Sequence, residues 1–103
     1  GLINRDPNGS TRTDTTPTAA QIVASIPNSF VGLSYNLWIR NLETIVNDNV
    51  VIAAGAGVTL SGQSGTFTIN RRNCTSIIVS ITNVTASSEA VTIYSLGEDR
   101  ATG

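Results

Sequence analysis

Short runs in which apolar and polar residues alternate, separated by turn-forming residues, recur along most of this chain and restrict it to a β fold. The clearest run covers residues 33–40, where every second side chain is apolar: Leu33, Tyr35, Leu37 and Ile39. A period of two is typical of a strand with one apolar face. Similar short runs occur at 50–53, 58–60, 67–69, 77–81 and 91–95. Turn signals about every 8–12 residues between short strands predict an all-β fold, a small antiparallel sandwich or jelly-roll-like domain.

The side-chain composition favours the same fold class. Val, Ile and Thr supply 34 of the 103 residues, and branching at Cβ suits the pleated surface of a sheet better than a helix. One segment, Pro17 to Ile26, instead has apolar residues at helical spacing. We expect this short helix to begin with Thr16 as its N-cap and Pro17 at its first position.

The chain is short enough to form one domain, and its composition changes twice along the sequence. Residues 1–16 are polar and contain the turn formers Pro7, Asn8 and Gly9, which favours an extended N-terminal arm. Residues 17–97 contain the helix and the strands of the sandwich. Residues 98–103 are polar again, and we expect them to form a flexible tail.

The residue types that are missing argue against an enzyme. The sequence has no His and no Lys, and its single cysteine is Cys74. General acid–base catalysis at neutral pH relies mainly on His, or on Lys and carboxylates with shifted pKa values, and the seven acidic residues show no catalytic spacing. A structural zinc site needs about four Cys or His ligands. We therefore expect no catalytic residues, no cofactor and no metal.

The charge and hydropathy of the chain narrow the choice of partners. Its formal net charge is −1, so no positive field directs it to nucleic acid. No apolar run approaches the roughly 20 residues that cross a bilayer, and no signal peptide is visible in the sequence. The sequence thus predicts a domain that neither binds nucleic acid nor inserts into a membrane.

Trp38 is the candidate residue for an interface. It lies on the polar face of the 33–40 strand, opposite the apolar residues. A large apolar residue on the second face of a strand indicates burial on both sides, and in so short a chain another subunit is a natural cover. The alternative is that Trp38 packs beneath a loop of its own chain.

Candidate ligand contacts lie in three predicted turns. Arg71 and Arg72 end one strand run, and arginine donates paired hydrogen bonds to carboxylate or sulfate groups. Two polar loops add hydrogen-bonding side chains for a surface glycan, namely Asn47, Asp48, Asn49, Gln63 and Ser64. The alternative interpretation is that the two arginines form a solvated strand end. Gly55 and Gly57 are interpreted as a turn, because a strand and not a helix follows them.

Three segments carry a resemblance that covers the chain from Arg5 to Gly97. They are residues 5–41 (RDPNG to IRN), 50–69 (VVIAAGAGVTLSGQSGTFTI) and 73–97 (NCTSII to YSLG). Their pattern resembles the C-terminal head and trimerisation domain of fibre-like or collagen-like surface proteins of large DNA viruses and virophages. The matching features are an Arg-Asp start, the PTAA helix, the strand from Ser34 to Asn41, an AAG-x-G turn and a terminal V-T-x-Y-S-x-G.

The resemblance implies a homotrimeric, non-enzymatic head at the virion surface that drives trimerisation of a fibre and attaches it to a host glycan or receptor. It supplies no catalytic residues. Two alternatives remain open from the sequence: a trimerisation cap without a receptor, and a monomeric carbohydrate-binding module.

Overall fold

The computed structural model describes residues 2–43, 48–61 and 66–100 of the chain. The order of its elements is β1 (Leu2–Arg5), β2 (Arg12–Thr15), α1 (Ala19–Ser25), β3 (Ser34–Asn41), β4 (Val50–Ala53), β5 (Val58–Ser61), β6 (Thr66–Ile69), β7 (Asn73–Asn83) and β8 (Ala90–Arg100). The fold is mostly β with one short helix, as the sequence predicts. The body is elongated, with extents of 44 × 24 × 23 Å.

The strands form two sheets that are mixed and not antiparallel. The five-stranded sheet has the order β1-β3-β7-β8-β5, and the three-stranded sheet has the order β2-β4-β6. Pairs β3–β7, β7–β8 and β4–β6 are antiparallel, whereas β1–β3, β2–β4 and β5–β8 are parallel. The prediction of an antiparallel domain is therefore wrong for half of these pairs. Alternation in a sequence defines which face of a strand is buried, but it carries no information on the direction of the neighbouring strand.

Residues 1–16, interpreted from the sequence as an extended arm, contribute one edge strand to each sheet. β1 pairs with β3 from Leu2 opposite Trp38, and β2 pairs with β4 from Arg12 opposite Val50. The turn between β1 and β2 contains Asn8 and Gly9, both with positive φ, a conformation that these two residue types adopt at low cost. The segment is thus extended, and it packs on the body through backbone pairing.

The two sheets and the helix share one apolar core. The inner face of the five-stranded sheet supplies most of it, and β4, β6 and α1 supply the rest: Ile39, Ile77, Val79, Ile81, Val91, Ile93, Val58, Leu60, Val50, Ile52, Ile69, Ala19 and Ile22. All of these side chains are aliphatic and most are β-branched, so they pack efficiently between pleated surfaces. This arrangement is that of a sandwich-like domain.

The helix begins two residues later than the sequence analysis predicts. Thr18 is the N-cap: its Oγ1 accepts from the Gln21 backbone N–H at 3.2 Å, and the Gln21 side chain accepts from the Thr18 N–H at 2.9 Å. This reciprocal pair is a capping box. Thr16, the predicted cap, instead accepts from the Gly55 N–H at 2.8 Å through its hydroxyl. Thr16 therefore holds a turn and does not start the helix.

The turn at Gly55–Gly57 holds the start of the helix against the five-stranded sheet. Ala19 donates its N–H to the Ala56 carbonyl at 2.8 Å, and Val91 donates to the Gly57 carbonyl at 3.1 Å. Gly57 has φ of +78°, and a Cβ added there would lie 2.8 Å from Ala19 Cβ and 2.9 Å from the Glu89 carbonyl oxygen. The structure confirms that Gly55–Gly57 is a turn, and shows that it is a packing contact.

The longest strands, β7 and β8, pair along most of their eleven residues each. β8 ends at Arg100, so residues 98–100 extend this strand, where the sequence analysis expects a tail. Gly97 lies at an irregularity of the pairing, between Thr75/Glu98 and Ile77/Ser95. Glycine at a bulge does not end a strand.

Candidate functional site

Trp38 lies on the outer face of the five-stranded sheet, away from the core. It stands opposite Ser76 on β7 and Leu2 on β1, and 39% of its surface is exposed. Ile39, the next residue, points to the inner face and is 6% exposed. The strand therefore presents large apolar side chains on both faces, as the sequence predicts.

Three further apolar residues share this outer face with Trp38. Leu2 is its neighbour on β1, Ile78 is diagonal to it on β7, and Tyr94 stands opposite Ile78 on β8. Leu2 and Tyr94 are 59% and 43% exposed. We call these four residues the outer apolar patch. In the sequence, Ile78 is recognisable as an apolar residue out of phase with Ile77 and Val79. Leu2 is not recognisable in this way, because no alternation of apolar and polar residues marks β1 as a strand.

The surroundings of the outer apolar patch are almost free of charge. The other outward positions on β3, β7, β8 and β5 whose side chains the structure describes are small or polar: Ser34, Asn36, Arg40, Cys74, Ser76, Ser80, Thr92, Thr59 and Ser61. Arg40 is the one charged residue in this set. A flat surface of hydroxyl groups around an apolar centre has a low desolvation cost, which suits it to association with another surface.

Four of the predicted ligand contacts come together at one end of the molecule, which we call the polar end. It contains Asp48, Asn49, Arg71 and Arg72. Val50 pairs with Ile69, which brings the residues before β4 next to the residues after β6. Arg71 and Arg72 occupy the tight turn that the hydrogen bond from Asn73 N–H to the Asn70 carbonyl closes, at 3.1 Å.

Asn41 is fully buried beneath the polar end and connects the two sheets. Its Nδ2 donates to the carbonyls of Asp48 and Ile69, both at 3.0 Å, and its Oδ1 accepts from the Glu43 N–H at 2.9 Å. Asn41 is the last residue of β3, whereas Ile69 ends β6 in the other sheet. No feature of the sequence singles out this residue, because one Asn among ten carries no distinguishing signal.

The side chains at the polar end differ in accessibility. Arg71 is exposed, and Asn49 and Arg72 are half-buried. Oδ2 of Asp48 is buried and has no hydrogen-bond partner within the described ranges, so it does not face the surface. The Nε of Arg72 is buried as well, so we regard Arg71 and Asn49 as the accessible members. Asn47, Gln63 and Ser64 lie outside the described residues.

The loop at 83–88 lies at the opposite end of the long axis. It connects the end of β7 to the start of β8, whereas Arg71 and Arg72 precede β7 by one strand length. Eleven strand residues span about 36 Å. This loop and the polar end therefore cannot contact one small ligand together.

The remaining features add no chemical centre. Within the described part of the chain, no cluster of three or more His, Cys, Asp or Glu residues could hold a metal ion. Cys74 is free and half-buried on β7. Among the same residues, no helix combines the length and the apolar character that crossing a bilayer requires.

Comparison of the chain with protein-family models, curated proteins and solved structures finds no match.

Proposed function

We propose that this chain is the non-enzymatic head domain of a trimeric fibre at a virion surface, which trimerises through the outer apolar patch and attaches the fibre to the host. The fibre and the virion surface come from the sequence resemblance of residues 5–97, whereas the observation that carries self-association is the outer face of the five-stranded sheet. Trp38, Tyr94, Leu2 and Ile78 are strand neighbours on this face, and the described residues cover each of their side chains only in part.

The dimensions of the outer face suit a protein interface. Five strands at about 4.8 Å spacing give a width of roughly 19 Å, and the longest strands extend about 36 Å. Because β1 and β5 have four residues each, the product of this width and length, roughly 680 Å², is an upper limit, so an interface of the standard size, roughly 800 Å² on each partner, would use the whole face. Aromatic residues are enriched at the centres of such interfaces, and polar residues surround them. The distribution around Trp38 follows this pattern.

Light scattering coupled to size exclusion tests the trimer. We expect a mass three times the 10.7 kDa of one chain. Trp38→Glu should convert the trimer to a folded monomer, because burying an unpaired carboxylate at an interface costs several kcal/mol. Phe30→Glu is the matched control: Phe30 is 58% exposed, more than Trp38, but lies in the segment before β3 and outside the patch. It should leave the trimer intact.

The only tryptophan in the sequence also reports assembly directly. Dilution of the wild-type protein should shift Trp38 emission to longer wavelength as the trimer dissociates, while far-UV circular dichroism stays constant. A wild-type mass of one chain at every concentration would show that the proposal is wrong.

The polar end supports the attachment part of the proposal. It presents arginine and amide groups that suit an acidic sugar, and a trimer would carry three copies of it. Three weak sites gain avidity when their spacing matches the ligand array. A glycan array should therefore detect the wild type more strongly than monomeric Trp38→Glu. The double variant Arg71→Gln, Arg72→Gln should lose binding and remain trimeric. A trimer that binds neither the array nor host cells would be a structural cap.

A further inference from the structure

A cleft of about 300 Å³ lies between the two sheets, on the inner side of the fold. Its floor consists of core side chains that are each at most 7% exposed: Ile22, Ile39, Ile52, Ile77, Val79 and Ile93. Its opening lies between the edge strands β1 and β2, where Ile3 and Tyr35 are 45% and 37% exposed. The sandwich is thus incompletely filled along one side.

An ion pair crosses this opening from one sheet to the other. Arg5 on β1 donates from Nε to Asp14 Oδ2 at 2.7 Å and from Nη2 to Asp14 Oδ1 at 3.0 Å. Its Nη1 donates to the Asp6 carbonyl at 3.0 Å. The two charges therefore neutralise each other, and the opening offers no free charge to a ligand.

Besides the ion pair, the Tyr35 hydroxyl is a polar group at the opening. Its hydroxyl has no hydrogen-bond partner among the residues described, and burial raises its pKa. Thr16, also at the opening, uses its hydroxyl to bond the Pro17 carbonyl and the Gly55 N–H. A ligand in the cleft would thus meet an apolar interior and the Tyr35 hydroxyl.

The size and depth of the cleft determine its occupant. An apolar cavity of about 150 Å³ accommodates benzene, so one of twice that volume accommodates about twelve non-hydrogen atoms. The floor is too enclosed for a peptide backbone, whose polar groups would be left unpaired among aliphatic side chains. Ligand sites of this kind are concave and mostly apolar, with few polar groups to fix orientation.

We propose that the inter-sheet cleft binds a small, uncharged, largely apolar molecule with one hydrogen-bonding group, which it places at the Tyr35 hydroxyl. The cleft and the outer apolar patch lie on opposite faces of the five-stranded sheet. Trp38→Glu should therefore retain ligand binding, so that failure of this proposal and failure of the trimer are distinguishable.

Titration with 4-butylphenol, followed by thermal unfolding and by amide NMR shifts, tests the site. We expect a rise in Tm and shifts confined to residues around the cleft. 4-Butylbenzoate, of similar shape but charged, should bind at least tenfold more weakly. Tyr35→Phe should weaken binding of 4-butylphenol about fivefold and leave binding of butylbenzene unchanged, because one hydrogen bond is lost.

Leu37→Phe and Trp38→Phe separate the cleft from non-specific binding. Leu37 lines the cleft, so a larger side chain there should abolish binding of 4-butylphenol, whereas Trp38→Phe on the outer face should not. Three results would overturn the proposal: no effect of 4-butylphenol on Tm or shifts, NMR shifts centred on the outer apolar patch, or loss of oligomeric mass in Leu37→Phe. The last would identify a second copy of the chain as the occupant.

Discussion

Gly57 occupies a position where both the backbone and the surroundings exclude a side chain. Gly57→Ala should lower the free energy of unfolding by about 2–4 kcal/mol, since it combines an unfavourable φ with contacts below 3 Å. Two other glycines separate the effect of the unfavourable φ from the effect of the close contacts. Gly9 has φ of +89° and nothing within 4 Å of an added Cβ, so Gly9→Ala should cost about 1 kcal/mol.

Gly55 provides the opposite control. A Cβ there would lie 2.6 Å from the Thr16 carbonyl oxygen, although its φ is outside the left-handed region. Gly55→Ala should cost about 1–3 kcal/mol through contact alone. Urea denaturation of the three variants measures these terms. Equal losses at Gly9 and Gly57 would contradict the packing role of the Gly55–Gly57 turn.

Tyr35 gives the stability of the fold a dependence on alkaline pH. Burial raises its pKa above the ordinary value of 10.0, so between these two pKa values the folded state binds more protons than the unfolded state. Its contribution is fully present below pH 10.0 and is lost as the pH rises through the raised pKa. Chemical denaturation on both sides of pH 10.0 measures this loss. The free energy of unfolding of Tyr35→Phe should fall less with rising pH than that of the wild type. The sequence contains no Lys whose titration would overlap.

At the scale of elements, α1 depends on its first turn. A seven-residue helix is too short to be stable alone, so its cap and its packing against the sheet hold it. Thr18→Ala should lower the free energy of unfolding by about 1 kcal/mol, because the Gln21 N–H loses its acceptor. Thr18→Ser retains the hydroxyl and should cost less than half as much. Equal losses in the two variants would show that the methyl group matters and the cap does not.

The elements that the sequence predicts are those in which one face is apolar and the opposite face is polar. The run at 33–40 and the strands of the core have it, and all are strands in the structure. β1 and β2 lack it: RTDT on β2 has no apolar residue, and its strand character comes from pairing with Val50–Ala53. Such tertiary pairing leaves no local pattern. The capping box at Thr18 and Gln21, by contrast, is a local signal that could have located the start of the helix.

Among the candidate sites too, some have a local pattern in the sequence and others depend on tertiary structure. Trp38 is recognisable because a large side chain is out of phase with its strand, and the polar loops are recognisable by composition. The cleft is not, since it lies between side chains of two different sheets, with Arg5 and Asp14 facing each other across its opening. No spacing in the sequence predicts which edge strands end up side by side.

At the scale of the whole molecule, Asn41 joins one sheet to the other. Asn41→Asp should lower the free energy of unfolding by about 3 kcal/mol or more, because a carboxylate would face the carbonyls of Asp48 and Ile69 in place of a donor. Asn28→Asp, at an exposed position after α1 and outside both sheets, is the control and should change stability by no more than about 0.5 kcal/mol. Thermal unfolding compares the two. A small effect at Asn41 would mean that the sheets are held by apolar packing alone.

The parallel pairing of β1 and β2 has a consequence for how the chain folds. Leu2 pairs with Trp38 and Arg12 pairs with Val50, residues that are distant in the sequence. Each edge strand can therefore pair only after a long loop has closed. The β7–β8 hairpin has a short connection and can form first. β3 can then pair with the free edge of β7. Folding of such non-local topologies takes milliseconds to seconds. On a ribosome, β1 and β2 would therefore be synthesised before β7 and β8 but would reach their native place after them.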